Sequence, residues 1–180
     1  MLDTGELSCP NMNDEYEYEA SCGICNKLRD RATLGRVLFE NELWQLRASD
    51  APTPVPGWVM LLTRRHVAGP AQFNEREAQS FGPTLAHLQR VLLEVSGALR
   101  IYMAAMGESS PHFHAHFVPR YAVMPKDAKA WAVFDLQRAA GAREIEVNEG
   151  EAERVTAAYA SALRASPPPV PAPLRPGSSE

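Results

Sequence analysis

The chain has 180 residues, 45% hydrophobic and 22% charged, enough for one globular domain whose core needs no disulfide staples. Its 18 Lys and Arg against 22 Asp and Glu leave a formal net charge of −4, which excludes a sequence-independent DNA or RNA binder, because such binding needs a surplus of cations to displace counterions. Three cysteines are too few, and odd in number, for a secreted disulfide framework, and no apolar run approaches the ~20 residues that span a bilayer.

Residues 1–20 are acidic, with Asp3, Glu6, Asp14, Glu15, Glu17 and Glu19, and they lack the basic and apolar regions of a signal peptide. They read as a mobile arm, and the chain reads as a cytoplasmic protein with no membrane partner. Residues 21–165 are expected to fold as one domain. Cys22 to Arg31 reads as a short helix. Val37–Glu40 and Leu43–Leu46 read as strands around the turn-like Glu40-Asn41-Glu42. Pro and Gly punctuate 50–57, which is a loop, and Trp58–Leu62 is a strand.

Asn74 stands where it can cap a helix from Glu75 to about Gly97, whose apolar residues Phe81, Leu85, Leu88, Leu92 and Val95 recur at three and four. Gly82-Pro83 is expected to kink or break it, and His87 to face solvent or an interface. Ile101–Met106 and His112–Pro119 read as strands. Helices follow over roughly 127–140 and 149–164, where the helical spacing of Trp131 and Phe134 predicts core residues. Antiparallel-type strands with helices alongside make an α+β fold rather than a doubly wound parallel sheet. Residues 166–180 hold six prolines and form an extended, solvated tail.

Three of the five histidines stand at alternate positions in Pro111-His112-Phe113-His114-Ala115-His116-Phe117-Val118-Pro119-Arg120. In a strand, successive side chains point to opposite faces. His112, His114 and His116 therefore share one face, and Phe113, Ala115 and Phe117 share the other, toward the core. Imidazole titrates nearest neutrality and serves as nucleophile, acid, base or metal ligand. Three imidazolium ions in a row would repel, so most must be neutral or face an anion, and a phosphate ester meets that demand. The plain alternatives are a surface histidine stripe or a purely metal-binding row. Upstream, Cys22-Gly23-Ile24-Cys25 is a Cys-x-x-Cys pair without the βαβ context of a redox motif. Two thiolates and two imidazoles can close a zinc tetrahedron. Without metal, the cysteines are small buried hydrophobes and His66 caps a helix.

His112-Phe113-His114-Ala115-His116-Phe117-Val118 resembles the histidine triad (HIT) motif, His-x-His-x-His followed by two apolar residues. Pro56-Gly57-Trp58-Val59-Met60-Leu61-Leu62-Thr63-Arg64-Arg65-His66 and the later Pro119-Arg120 are similar to the same family, and the likeness covers roughly 20–125. It implies a HIT-like α+β fold, an antiparallel sheet with flanking helices, in a homodimer. It implies a nucleotide hydrolase or transferase, diadenosine tetraphosphate hydrolase-like, that acts on nucleotide conjugates. Dinucleoside polyphosphates are the first expected substrates and nucleoside phosphoramidates the second.

By the same resemblance His114 attacks the α-phosphorus and becomes a covalent nucleotidyl-histidine. His116 contacts the phosphate and assists the leaving group, and His112 lines the site or is structural. Ser109, three residues before His112, takes the place of a serine near the phosphate. Asp50, sixteen residues before His66, takes that of a ribose-binding aspartate. Zinc-bearing members use the equivalents of Cys22, Cys25, His66 and His112; four protein ligands leave no open position, so this zinc is structural. Trp58 stands where some members have another histidine, and either stacks on a base or packs in the core. Two rival readings are a nucleotide-binding or scaffold protein with negligible turnover, and a metallohydrolase whose three triad histidines hold a catalytic metal.

Overall fold

Alternation along the strands sorts the sheet into two faces of different chemistry, and the helices complete them. The computed structural model describes residues 18–30, 36–108 and 110–170. Most of the acidic arm, the candidate Ser109 and residues 171–180 of the tail lie outside the described residues. The elements in chain order are α1 (Gly23–Arg29), β1 (Val37–Glu40), β2 (Trp44–Ala48), β3 (Val59–Thr63), α2 (Glu75–Ser96), β4 (Arg100–Ala104), β5 (His114–Arg120), α3 (Val133–Gly141) and α4 (Glu149–Ala165). The strands form one sheet in the order β1-β2-β3-β5-β4, with every neighbouring pair antiparallel. The fold is α+β. No described helix is long and apolar enough to cross a membrane.

One face is the main core. Trp44, Leu46, Val59, Leu61, Phe113, Ala115 and Phe117 pack with Leu88, Val91 and Leu92 of α2 and with Tyr159 and Leu163 of α4. Two of the polar side chains buried here have partners inside the core, whereas the Thr63 and Thr84 hydroxyls are buried without one. The Trp44 indole N–H donates to the Ser80 hydroxyl at 2.9 Å, and the Tyr159 hydroxyl donates to the Leu88 carbonyl at 2.7 Å. Asn41 closes the β1–β2 turn, because its side-chain oxygen accepts from the backbone N–H groups of Leu43 and Trp44.

Helix α2 starts where its cap predicts. The Asn74 side chain accepts from the Glu77 N–H, and the Glu77 carboxylate accepts from the Asn74 N–H. Glu77 is 1% exposed and also takes Nε and Nη2 of Arg65, at 3.2 and 2.8 Å. The helix ends on Gly97 in the left-handed region, φ 65°.

The expected break at Gly82-Pro83 does not occur, and α2 runs unbroken through Pro83. Proline removes one amide, but the carbonyl it orphans belongs to Gln79, on the exposed side of the helix, open to solvent. His87 is not at solvent: it is 9% exposed. It donates from Nε2 to the Ser166 carbonyl at 2.8 Å and accepts at Nδ1 from Arg90 at 3.2 Å. The root of the tail is thereby held on α2, with Pro168 buried. Trp131 is not a core residue, being 65% exposed, whereas Phe134 packs beside Trp58 and Val133.

Candidate active site and metal centre

The second face of the sheet carries the chemistry. His114 pairs across the sheet with Leu62 and His116 with Met60, so both imidazoles rise from the face opposite the main core. Their ring centroids are 5.6 Å apart. His112 stands before the strand, which begins at His114 rather than at His112. Pro111 precedes it and its own N–H bonds the Ser110 carbonyl at 2.8 Å, so His112 sits in a turn. It is fully buried, 5.2 Å from the ring of His66. The triad thus divides into a pair on the strand and one member turned toward the cysteines.

Cys22 and Cys25 lie at the start of α1, against Ile24, Met60 and Leu62. One ligand atom each from Cys22, Cys25, His66 and His112 falls within 4.8 Å of all the others. The Cys25 sulfur is 3.4 Å from Nδ1 of both His66 and His112, and the Cys22 sulfur is 3.7 Å from Nδ1 of His112. With zinc bonds of about 2.3 Å to sulfur and 2.0–2.1 Å to nitrogen, an ideal tetrahedron has sulfur–nitrogen edges of about 3.6 Å. The four residues fit that ion.

The tautomer fits as well. His112 Nε2 lies 2.8 Å from the Thr63 carbonyl, which can only accept, so Nε2 carries the proton and Nδ1 turns its lone pair to the thiols. Burial holds His112 below its ordinary value, in the neutral form that a ligand requires. Burial pushes the Cys25 thiol up. At Cys22 the same burial is outweighed by the backbone N–H groups of Cys25 and Ile24 and by the Ser110 hydroxyl, and that thiol is lowered. Among the described residues this is the one cluster with metal-ligand spacing, and neither His114 nor His116 belongs to it.

His114 is prepared differently. Its Nδ1 lies 2.7 Å from the carbonyl of His112, so Nδ1 donates and Nε2 keeps a free lone pair. A cleft lined by Gly69, Pro70, Ala105, Met106 and Gly107 reaches it. Gly107 turns the chain there at φ 73°, a conformation that favours glycine.

His116 is enclosed by aromatic rings. The Trp58 indole N–H donates to its Nδ1 at 3.1 Å, and the Phe134 ring stands edge-on at 5.3 Å. Burial pushes its pKa down to about 4, helped by the neighbouring His114, so the ring is neutral near pH 7. Trp58 is 1% exposed and does not offer its face to a ligand. The sequence reading weighed it as a stacking or a packing residue and missed this hydrogen bond. Trp58 and His116 have matching parity on adjacent strands, which was the available signal; the register that joins them was not.

Asp50 lies just past β2, exposed, paired with Lys27 of α1 and 4.0 Å from Arg36. Arg120 donates to the Pro125 carbonyl at 3.0 Å. Glu108 is exposed in the loop that leads to Ser110.

No protein-family model matches the chain, and no curated protein matches it. Solved structures do. A histidine triad protein from Marinobacter aquaeolei gives a TM-score of 0.55 at 18% identity, over 76% of this chain and 96% of that one. A Zn-bound histidine triad family protein from Mycobacterium smegmatis gives 0.54 at 16% identity, over 81% and 98%. A Hit-like protein involved in cell-cycle regulation from Bartonella henselae gives 0.50 at 14% identity, over 79% and 99%. The five-stranded antiparallel sheet and these likenesses agree with the motif on β5: the chain has the histidine triad fold.

Proposed function

We propose that the chain is a nucleotidyl hydrolase or transferase that cleaves nucleotide conjugates at the α-phosphate through a covalent nucleotidyl-His114. The observation that carries this reading is the 2.7 Å bond from His114 Nδ1–H to the His112 carbonyl, which places the lone pair of the neutral ring on Nε2, in a side chain that lines a cleft. In the first half-reaction that lone pair forms a nitrogen–phosphorus bond while the bond to the leaving group breaks with its electron pair. In the second, water or another acceptor forms a bond to phosphorus and gives its proton to solvent, while the nitrogen–phosphorus bond breaks and its electron pair returns to Nε2. The proton stays on Nδ1, hydrogen-bonded to the His112 carbonyl, throughout.

Splitting one displacement into two lowers each barrier, since imidazole both attacks and leaves well. His116 supplies an N–H from Nε2 to the phosphoryl oxygens. Ser109 and Asp50 take the phosphate and ribose contacts that the resemblance implies. The tetrahedral spacing of Cys22, Cys25, His66 and His112, together with the Zn-bound neighbour, supports a structural zinc, which when bound fixes the His112 turn. The homodimer belongs to the same reading; β4 is the open edge of the sheet and shows Met103, 48% exposed.

Rapid-quench intact mass after mixing with diadenosine tetraphosphate or adenosine 5′-phosphoramidate tests the reading. The wild type is expected to gain about 329 Da, one AMP less water, and to release AMP; His114→Ala is expected to do neither. Tight nucleotide binding with no adduct and no AMP from either conjugate would establish a binding module instead.

A further inference from the structure

We propose that Trp58 is a positioning residue that locks His116 as a neutral hydrogen-bond donor, and so restricts the protein to leaving groups that depart without a proton: phosphoanhydrides, not phosphoramidates. The inference rests on the nucleotidyl-transfer reading for its substrate half and on geometry alone for the lock.

An indole N–H can only donate. Placed 3.1 Å from His116 Nδ1, it requires a lone pair there, so the imidazole carries its single proton on Nε2. An imidazolium has N–H on both nitrogens, and would set two donors against each other at that distance. Neither partner can easily turn away. Trp58 is packed among Val55, Val118 and Val133, and the Phe134 ring stands 5.3 Å from both rings. Among the described residues, the groups around His116 add no compensating anion: Met60 and Ala104 are its register partners, Trp58 and Phe134 its ring neighbours, and His114 the titratable ring beside it. The lowered pKa of His116 points the same way.

A neutral ring with Nε2–H donates a hydrogen bond to the leaving group but keeps the proton, because giving it up would leave an imidazolate anion. A polyphosphate departs as a stable anion, taking the electron pair of the broken phosphorus–oxygen bond, and is protonated later by solvent. An amine that departs from phosphorus needs a proton on nitrogen as the bond breaks. His116 cannot supply it, so the site favours the first class.

Two measurements decide this. Histidine-ring 1H–15N correlation spectra of the wild type, with His116 assigned through His116→Gln, are expected to show Nε2–H and no titration from pH 8 to 5. A proton on Nδ1, or an imidazolium in that range, overturns the lock. For the substrate half, kcat/KM for diadenosine tetraphosphate should exceed that for adenosine 5′-phosphoramidate by about 100-fold or more. Trp58→His, which can accept as well as donate, should narrow the gap about tenfold and add an acidic limb to the pH profile. Equal rates on both conjugates in the wild type overturn the substrate half. No turnover of either overturns the nucleotidyl-transfer reading and the substrate half with it, while the ring spectra still decide the lock.

Discussion

At His116, burial and one indole donor set a protonation state, and that state has a thermodynamic signature. The folded ring titrates at about 4, against an unfolded value of about 6.5. Between those values the unfolded chain binds a proton that the folded chain refuses, so stability rises with pH through the window and falls as acid is added. The group's contribution is complete above pH 7, drops by about 2 kcal/mol at pH 5, and is gone by about pH 4. Urea unfolding at pH 7 and pH 5 checks this, with His116→Gln as the comparison. The wild type is expected to lose about 2 kcal/mol more than the variant over that interval. Equal losses would mean that His116 titrates normally in the folded protein.

Helix α2 shows why elements were more legible in the sequence than the site was. Its start is local: Asn74 followed three residues later by Glu77 forms a capping box with no help from the rest of the chain. Its apolar recurrence is also local, and Leu88 and Leu92 are buried as that period requires. The turn at Asn41 and the alternation of β5 belong to the same class. What failed depended on facing. Gly82-Pro83 was read as a kink or a break, and the break does not occur, because the sequence does not say that the carbonyl orphaned by Pro83 faces outward. His87, read as facing solvent or an interface, does not face solvent, and Trp131 was read as core but is exposed, because helical spacing names a stripe without naming what covers it. The bond from Trp58 to His116 joins residues 58 apart and exists only once β3 and β5 are in register. Arg65, next to His66, grips the Glu77 carboxylate twelve residues on, a contact that exists only in the folded chain. Glu77→Ala removes both the reciprocal cap and a buried ion-pair partner. The expected cost is about 3 kcal/mol, toward the lower end for a broken buried pair because Arg65 keeps some contact with solvent. Urea midpoints of wild type and variant measure it, and a loss under about 1 kcal/mol would show that the pair is solvated in solution.

For the whole molecule, the Cys/His cluster does what no single element does. Its ligands come from three separate segments: Cys22 and Cys25 at α1, His66 beyond β3, and His112 before β5. An ion held there would cross-link the first helix to the segments that follow β3 and precede β5, the turn at His112 among them. That turn matters because the His112 carbonyl is the acceptor that fixes the tautomer of His114. His112, the candidate metal ligand, and His114, the proposed nucleophile, are thus joined by one backbone group, and loosening the first loosens the second. An ion that binds only the folded chain stabilises it by about 2.7 kcal/mol at 100 times its Kd. For a domain of this size that is a rise of roughly 5–10 °C in Tm. Protein purified with zinc should contain close to one ion per chain, and removal by a strong chelator should lower Tm by that amount, with recovery on adding zinc back. Cys25→Ser should abolish both the bound metal and the chelator response, since Cys25 stands 3.4 Å from the Nδ1 of both histidine ligands. Metal content below a tenth of an ion per chain, with a Tm indifferent to chelator and to added zinc, would leave the four residues as a hydrogen-bonded cluster. His112 would then be held by Thr63 and the thiols alone.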